Sequence, residues 1–311
     1  MIRRRKPIYI ESRIHGSMEQ IWEKTQNPNL HEQWDIRFTR IEYLSKEENE
    51  PQMFNYATKV IPKIWIEGRG ESLGERERSD NSRWSGLKFW CDDKRSIIKK
   101  GAGYWKYIPT DDGVRFLTRF DYQPRWGLFG EVVDRFIFRP IFGWATSWSF
   151  DRFRLWVEKG LDPARQRRQA IIHTLVTLVL GFVWIYHGIV PKLFTRTSEL
   201  KIIEDSGFSH AISEYILFVF AAGEIAIGLS ILLLWRRRWP FVVSLIAFIG
   251  LGVGAVFSNP HLAGEPFSPV TLNISLVALC AIALLSDTDL PSGRVPLRKA
   301  PDEQPEVEVQ E

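Results

Sequence analysis

The stretch AIIHTLVTLVLGFVWIYHGIV, residues 170–190, decides the fold of this chain, because it contains no Asp, Glu, Lys or Arg. Three further apolar stretches follow, at 212–235, 240–257 and 269–285. At about 1.5 Å per helical residue, runs of this length cross a hydrocarbon layer of about 30 Å, the last two only just. Four consecutive runs this apolar would leave a soluble bundle without a polar outer face. The sequence therefore predicts an all-α membrane domain of four transmembrane helices over 170–286.

Charge is distributed unevenly around this apolar region. Residues 1–169 carry 32 Lys and Arg against 24 Asp and Glu, whereas residues 287–311 carry three against seven. A basic domain can contact nucleic acid or anionic lipid, or its charge can serve solubility alone. No nucleic-acid-binding motif accompanies the charge, so we predict no nucleic-acid partner. The lipid bilayer is the partner that explains the charge most simply.

These shifts in composition predict four segments. Residues 1–160 form a ligand-binding domain, 161–169 a basic juxtamembrane linker, 170–286 the membrane domain, and 287–311 an acidic, disordered tail. Each segment differs from its neighbours in hydropathy or in charge, so the boundaries follow from composition alone.

Basic clusters flank the apolar stretches on one predicted side of the membrane. They are Arg165, Arg167 and Arg168; Arg236, Arg237 and Arg238; and Arg294, Arg298 and Lys299. The loop 260–268, on the other side, has no Lys or Arg. Basic residues near the ends of spans mark cytoplasmic loops. We therefore predict a multi-pass protein of the cell (inner) membrane, with the N- and C-termini in the cytoplasm.

Few polar side chains fall inside the apolar stretches, and Glu224 lies at the middle of the second one. An ionised carboxylate there costs about 3 kcal/mol by insertion scales, so we expect it to be protonated or paired and to face the bundle. His187 and Asn273 are the nearest partners by depth. Two roles stay open for Glu224: a packing hydrogen bond, or a functional group in a ligand site. His173 and His187 stand about 21 Å apart along a helix, so they cannot share a metal, and no metal site is predicted.

Three motifs lie within this region: GFVWIYHGIVPKL at 181–193, GEIAIGL at 223–229 and FSPVTLN at 267–273. They resemble the DoxX-like family of small four-helix membrane proteins, which takes its name from a subunit of a thiosulfate:quinone oxidoreductase. The resemblance implies a link to quinone and to a membrane redox partner. No Cys pair or cofactor motif supports redox chemistry, so the residues themselves predict no cofactor.

Residues 1–160 follow a pattern typical of an α+β domain. Ile8, Ile10 and Ile14 alternate with polar residues as in a half-buried strand. Ser17 and Gln20 make a capping box that starts a short helix. Six strands separated by turn-rich segments are predicted next, at 38–44, 53–61, 64–73, 83–91, 97–108 and 114–123.

A long helix over 130–159 is predicted to end this domain. Apolar residues recur along it at three- and four-residue steps, as in an amphipathic helix, and Pro140 is expected to kink it. These apolar residues include Val133, Phe136, Ile137, Ile141, Trp144 and Trp148. An antiparallel sheet can wrap such a helix.

This order of elements, with motifs at 14–34 and 112–140, resembles the START-like (SRPBCC) helix-grip family of polyketide cyclases and lipid-transfer domains. The resemblance covers nearly all of residues 1–160. It rests on a pattern of elements and not on a catalytic signature. It implies a deep apolar cavity between the sheet and the long helix.

Aromatic residues are concentrated in the same domain, where ten of the thirteen Trp lie. On a curved sheet such residues pack a core or line a ligand pocket, and core packing is commoner for any single one. Those predicted to line the pocket are Trp34, Phe54, Tyr56, Trp90, Trp105, Phe116, Phe120 and Trp144, with Thr118 and Tyr122 as polar anchors. His15 and His31 have no Ser or Cys nucleophile pattern near them, so the catalytic residues stay unassigned.

The sequence therefore predicts an α+β helix-grip domain fused to a four-helix transmembrane bundle. The predicted function is that of a membrane-tethered module that binds a small apolar ligand, a lipid, quinone or polyketide-like molecule, beside the inner leaflet. Two alternatives stay open: a quinone-linked membrane oxidoreductase subunit, and a cyclase or dehydratase.

Overall fold

A computed structural model divides the chain into two compact units. The first comprises the residues up to Gln166 together with those from Pro291 onward, and the second is Arg167–Leu290. The described residues are 6–47, 50–61, 63–258, 260–264 and 268–300. The first residue of the third membrane motif and the acidic end of the predicted tail therefore lie outside the described residues.

The first unit contains a seven-stranded antiparallel sheet among its described residues. Its strands are β1 (Ile8–Ile14), β2 (Arg40–Tyr43), β3 (Met53–Ile61), β4 (Ile64–Glu77), β5 (Arg83–Trp90), β6 (Ile98–Thr110) and β7 (Gly113–Pro124). Their order is β1-β7-β6-β5-β4-β3-β2. Consecutive strands from β2 to β7 are therefore neighbours, and β1 joins the sheet by pairing with β7.

The first helix of this unit begins at the predicted capping residue, Ser17. The helices of the unit are α1 (Met18–Gln26), α2 (Pro28–Trp34), α3 (Gly127–Val133), a first π-helical turn (Asp134–Phe138) and α4 (Arg139–Lys159). The backbone N of Gln20 donates to Ser17 Oγ at 3.2 Å. The backbone N of Asn29 donates to Asn27 Oδ1 at 3.0 Å. Each bond satisfies a backbone donor that has no partner inside its helix.

The predicted long helix is divided by the π-helical turn, and its apolar residues face two directions. A π-helical turn inserts a residue into the helical repeat, so the residues before and after it are out of phase. Phe138 and Phe142 pack toward the sheet, whereas Ile141 is 57% exposed and Trp144 is 48% exposed. Pro140 stands in the first turn of α4, where its missing N–H costs little. The interruption therefore lies immediately before Pro140.

Helix α4 covers one face of the sheet, which we call the inner face. Phe150 and Phe153 of α4 pack in one core with Ile10 of β1 and Phe116 of β7. None of these four side chains is more than 1% exposed. Burial of such a side chain contributes roughly 1.5–3 kcal/mol. This core fixes α4 on the sheet in the arrangement of a helix-grip fold.

The segment 291–300 belongs to the first unit and pairs with β1. Leu297 and Glu11 exchange two backbone hydrogen bonds, at 2.8 and 2.9 Å. The backbone N of Ser292 donates to Asp151 Oδ2 at 2.7 Å. Part of the tail that was predicted to be disordered is thus ordered, because its backbone polar groups find partners on β1 and α4.

The residues predicted to form a linker are helical from Pro163 onward. The side chain of Asp162 accepts a hydrogen bond from the backbone N of Arg165 at 2.7 Å. An Asp before the first turn and a Pro at the first helical position both favour a helix start. The helix therefore begins at the cap and not at the first apolar residue.

The second unit is helical over its described residues. Its elements are α5 (Pro163–Ile189, which begins in the first unit), a second π-helical turn (Val190–Phe194), α6 (Thr197–Asp205), α7 (His210–Leu233), α8 (Trp239–Ser258), a 3₁₀ turn (Pro260–Gly264) and α9 (Pro269–Leu285). Two described spans, Pro163–Phe194 and His210–Leu233, are long and apolar enough to cross a membrane. Trp239–Gly254 and Pro269–Leu285 are apolar but shorter.

Glycines bring α5 and α7 into close contact. A Cβ atom placed on Gly188 would lie 2.9 Å from the carbonyl oxygen of Ala221. A Cβ atom on Gly228 would lie 2.9 Å from the carbonyl oxygen of Gly181. Small residues let membrane helices approach until their backbones touch. Gly188 and Gly228 of the two membrane motifs thus have a packing role.

Candidate functional site

One half of the inner face is filled by a closed aromatic core. The rings of Phe116 and Phe150 stack with centroids 4.6 Å apart. Trp34 lies 4.7 Å from Phe153, and Trp105 lies 5.6 Å from Phe116. Trp34, Trp105 and Phe116 are all buried. The structure therefore places these three predicted lining residues in side-chain packing at this end.

The other half of the inner face carries aromatic rings that are only half-buried. These rings belong to Phe38, Phe54, Tyr56, Phe89, Phe138 and Phe142. Phe54 and Tyr56 lie over glycines of β4: a Cβ atom on Gly70 would come within 2.1 Å of the Phe54 ring, and one on Gly68 within 2.3 Å of the Tyr56 ring. The Phe54 and Tyr56 rings therefore cover β4 and are themselves only half-buried. This half of the inner face is called the open half below.

Two predicted lining residues lie away from the inner face. Phe89 packs against the inner core, and successive side chains of a strand point to opposite faces. Trp90, the next residue, therefore points to the outer face. Trp144 lies on the exposed side of α4, stacked on Trp148 at 6.3 Å. Both corrections follow from periodicity, because strand alternation and the phase shift at the π-helical turn decide which face a residue joins.

The two predicted polar anchors already have partners in the domain. Thr118 Oγ1 donates to the carbonyl oxygen of Tyr104 at 3.3 Å. Tyr122 Oη donates to Asp134 Oδ1 at 2.6 Å, in a buried contact. Burial and the Asp134 carboxylate together raise the pKa of Tyr122. Phe120 lies between these two anchors along β7, with its ring 5.7 Å from that of Phe142.

Arg37, in the loop after α2, lies in the open half and was missed by the sequence analysis. Its guanidinium carbon is 5.4–5.7 Å from the ring centroids of Phe38, Phe120 and Phe142. Its Nε and Nη2 donate to the Asp35 carboxylate at 2.6–3.2 Å. Its Nη1 donates to no side chain or carbonyl in the part of the chain that the structure describes. A planar donor among aromatic rings can bind an acceptor atom of an apolar molecule.

The Asp35 carboxylate holds Arg37 in this position. Asp35 is fully buried, and it also lies 3.2 Å from His31 Nε2. Burial by itself would raise the pKa of Asp35, but the charge of Arg37 and the hydrogen bonds from His31 and Arg37 outweigh it and hold the pKa well below its usual range. The lowered pKa keeps the Asp35 carboxylate ionised at neutral pH.

A cleft of about 390 Å³ opens beside β2, β3 and β4, and Tyr56 of the open half contributes to its lining. Its lining includes the charged residues Arg40, Glu67 and Asp92. Glu67 precedes Gly68, which faces the inner side under Tyr56, so Glu67 points to the outer face. This cleft is polar and does not correspond to the predicted apolar pocket.

The second unit contains an ion pair between a buried lysine and a half-buried glutamate. Lys192 Nζ lies 3.0 Å from Glu224 Oε2 and 3.8 Å from Glu199 Oε2. Lys192 is 8% exposed and stands within the second π-helical turn. The prediction that His187 or Asn273 partners Glu224 is therefore corrected: the ion-pair partner is Lys192. Predicted depth in the membrane did not identify Lys192, because Lys192 follows the apolar stretch in the sequence. It lies in the second π-helical turn, within ion-pair distance of Glu224.

The other two predicted intramembrane residues have different neighbours. The ring of His187 lies 5.8 Å from that of Tyr186. Asn273 lies against Gly252 of α8, where an added Cβ would come within 3.3 Å of the Asn273 side chain. The structure thus does not gather the three predicted polar residues into one hydrogen-bonded cluster.

Comparison with known proteins identifies the relatives of this chain. It is 41% identical over 203 residues to the uncharacterized membrane protein YndG of Bacillus subtilis (strain 168). The aligned residues cover 64% of this chain and 76% of YndG. The chain belongs to the YndG family. The sequence model of the DoxX-like family matches residues 181–281. The chain is therefore a membrane protein with a DoxX-like region, as the motifs predicted.

Solved structures similar to the first unit include START and cyclase proteins. The STAR-related lipid transfer protein (fragment 25–204) of Xanthomonas axonopodis is 16% identical, with 47% of this chain and 82% of that chain covered and a TM-score of 0.36. The di-domain ARO/CYC StfQ of the steffimycin biosynthetic pathway is 13% identical, with 50% and 51% covered and a TM-score of 0.38. Human StAR-related lipid transfer protein 5 is 18% identical, with 43% and 68% covered and a TM-score of 0.33. In the structure of this chain itself, α4 packs across the inner face of a seven-stranded antiparallel sheet, which is the arrangement that the START-like resemblance predicted.

Proposed function

We propose that this chain is a membrane-anchored binding protein that holds an apolar ligand in the open half of the inner face. The observation that carries the proposal is Arg37, a nearly buried guanidinium with an unused Nη1, surrounded by the rings of Phe38, Phe120 and Phe142. The half-buried rings of Phe54 and Tyr56 provide the apolar surface. The closed half of the inner face stabilises the domain and takes no ligand.

The chemistry of Arg37 defines the polar end of the ligand. Asp35 balances its charge, so the site favours a hydrogen-bond acceptor and disfavours a cation. A fatty acid carboxylate and a quinone carbonyl both meet this requirement, and a long-chain amine does not. The ligand is thus a lipid or quinone with an oxygen acceptor at one end. A redox partner for the membrane unit remains a separate proposal.

The proposed topology has four membrane crossings with both termini in the cytoplasm. The segment 291–300 pairs with β1 in the same unit that precedes α5. The residues before the first membrane helix and those after the last one therefore lie on the same side of the membrane, which supports an even number of crossings. A reporter that is active only outside the cytoplasm, fused after Glu311, should give no signal, and a strong signal would overturn this topology.

Mass spectrometry of apolar molecules that co-purify with the full chain is the first test of ligand binding. Titration with a fluorescent fatty acid, with decylubiquinone as competitor and a long-chain amine as negative ligand, then measures affinity. We expect the fluorescent fatty acid to bind saturably and decylubiquinone to compete with it. The long-chain amine should not compete. Absence of saturable binding to the folded protein would overturn the proposal.

Two glycine variants form a matched pair for this titration. In Gly70→Ala the three atoms nearest to the new Cβ belong to the Phe54 ring, which must shift within the open half. In Gly86→Ala the three nearest atoms belong to the Trp84 ring, on the outer face. We expect Gly70→Ala to weaken binding roughly tenfold, about 1.4 kcal/mol, and Gly86→Ala to leave it unchanged. Equal effects would contradict the assignment of the open half.

Arg37→Lys tests the polar anchor without leaving Asp35 unpaired. Lysine keeps the charge but loses the planar guanidinium and its free Nη1 donor. We expect this variant to bind the fatty acid and the quinone more weakly than the wild type does. The midpoint of thermal unfolding of the full chain should stay close to the wild-type value. Unchanged affinity in a folded Arg37→Lys variant would remove Arg37 from the site.

A further inference from the structure

The segment from Trp126 to Trp144 exposes a continuous series of large apolar side chains, which we call the outer apolar face. Its members are Trp126 (44% exposed), Leu128 (74%), Phe129 (70%), Val132 (50%), Phe136 (69%), Ile137 (57%), Ile141 (57%) and Trp144 (48%). They come from the N-cap residue of α3, from α3 itself, from the first π-helical turn and from the first turns of α4. Exposed apolar patches of this kind are rare on soluble proteins and mark an interaction surface.

The opposite side of the same segment is fixed on the domain, so the outer apolar face cannot rotate inward. Gly130 and Asp134 are buried, and Asp134 accepts the hydrogen bond of Tyr122. Phe138 and Phe142 pack against the inner core. A Cβ atom on Gly130 would lie 1.6 Å from the carbonyl oxygen of Arg125, which shows how closely α3 returns on the preceding chain.

Basic and amphipathic side chains lie beside this face. Arg135 is exposed, with its guanidinium carbon 5.6 Å from the ring centroid of Phe136. Trp126 Nε1 donates to the carbonyl oxygen of Lys94 at 3.1 Å, and Lys94 is also exposed. The acids within the segment are half-buried or buried. An apolar face with Trp and basic residues beside it is typical of helices that lie in the interface of an anionic bilayer.

We propose that the outer apolar face is a docking surface that lies in the headgroup layer of the bilayer. The chain has two described helices that are long and apolar enough to cross a membrane, so the first unit is tethered to a bilayer. The positive neighbours of the outer apolar face match an anionic leaflet. A protein partner would need no permanent anchor and gains nothing from the basic neighbours. This inference concerns where the domain rests and does not depend on ligand binding.

Site-directed spin labelling of the full chain in anionic nanodiscs tests the docking surface. The chain offers a matched pair of exposed aliphatic positions, Ile137 in the outer apolar face and Val60 at the end of β3, both 57% exposed. Ile137→Cys and Phe129→Cys are labelled in one series and Val60→Cys in the other. The two native cysteines, Cys91 and Cys280, are buried and should label little.

We expect the labels at 129 and 137 to be accessible to oxygen and protected from a water-soluble nickel reagent, at a depth of about 5–10 Å in the interface. The label at 60 should show the reverse. Aqueous accessibility at all three positions would overturn the proposal. Protection from both reagents at 129 and 137 would also overturn it, because it would indicate a covering protein surface. Binding assays on the same variants separate this result from the proposed function, since docking can fail while the ligand still binds.

Discussion

The same three-residue clamp occurs twice in the first unit, once buried and once exposed. In Asp35–Arg37 and in Asp93–Arg95 the backbone N, Nε and Nη2 of the arginine all donate to the aspartate two residues earlier. The shortest bond is 2.6 Å in both. The side chains of Asp35 and Arg37 are 0% and 9% exposed, whereas those of Asp93 and Arg95 are 19% and 61% exposed.

The difference between the two clamps shows that local geometry and energetic value are separate properties. Arg95 lowers the pKa of Asp93 to about 2 through its hydrogen bonds, so both carboxylates titrate below their usual range. In the exposed clamp, however, water replaces either partner at little cost. In the buried clamp, loss of one partner leaves a charge without solvent. Burial is what turns a common turn motif into a structural and binding element.

The Lys192–Glu224 pair of the membrane unit stands between these two cases. Its lysine is buried and its glutamate half-buried, but its contact is a single approach of 3.0 Å by a flexible ammonium group. Asp35 in contrast receives bonds from both Arg37 and His31. A pair with fewer hydrogen bonds is less strongly held and is more open to protonation or exchange of partners.

The largest effect is expected for Asp35→Ala. This change leaves the Arg37 guanidinium buried among aromatic rings without its carboxylate, which should destabilise the protein by about 3–5 kcal/mol. Chemical unfolding of the full chain in detergent, followed by Trp fluorescence, measures the change in unfolding free energy. A loss no larger than that of an average surface substitution would show that solvent reaches the clamp.

The second prediction concerns acid. The pKa of Asp35 is lowered on folding, so its contribution to stability is complete above the unfolded-state value, about 3.9, and is lost as pH falls toward the folded-state value. Between pH 5 and pH 3 the unfolding free energy of the wild type should fall with a slope that exceeds that of Asp35→Asn by up to about 1.4 kcal/mol per pH unit. Identical slopes would mean that Asp35 does not titrate with folding.

A smaller effect is expected when the membrane pair is broken. Lys192→Met leaves the half-buried Glu224 without its ion-pair partner, but a carboxyl group in a membrane can take up a proton, so the expected loss is about 1–2 kcal/mol. The double variant Lys192→Met, Glu224→Leu removes both polar groups and should regain most of this stability. If the double variant is as unstable as the sum of the single variants, the pair does not interact.

Two roles are still open for Glu224, one in helix packing and one in function. If Glu224 serves packing, Glu224→Leu should keep any activity found for the full chain. If it serves function, Glu224→Leu and Glu224→Gln should keep the fold and lose that activity. Activity or a growth phenotype measured beside thermal unfolding separates the two roles.

Much of the fold could be predicted from the sequence because its signals are local. Alternation located the strands, and Ser17 with Gln20 marked the start of α1. The face of a side chain was less predictable. Trp144 has apolar neighbours on both sides of its helix, so periodicity alone cannot tell which stripe meets the sheet. Only the π-helical turn before Arg139, which has no reliable sequence signature, decides it.

The candidate site was predictable only in part, for a related reason. Aromatic residues on alternating strand positions led to the prediction of Phe54, Tyr56 and Phe120, and the structure places these three on the inner face. Arg37 was not predicted as a lining residue because it lies in a loop, where no periodicity exists. A charged residue in a loop is usually exposed to water. The value of Arg37 depends on Phe120 and Phe142, which are distant in sequence and meet it only in the folded domain. The ion pair of Lys192 with Glu224 was not predicted for the same reason, because the two residues are distant in the sequence and meet only in the folded protein.

The smallest effect is expected for Asp93→Ala, which breaks the exposed clamp. Arg95 remains in water and keeps its hydrogen bond to the carbonyl oxygen of Trp65 at 3.0 Å, so no charge is left buried. We expect the midpoint of thermal unfolding to stay at the wild-type value, although the local hydrogen-bond geometry matches that of Asp35. Measured beside Asp35→Ala, this variant isolates burial from geometry. Comparable losses in the two variants would mean that the clamp itself stabilises its loop and that burial does not distinguish Arg37 from the exposed Arg95.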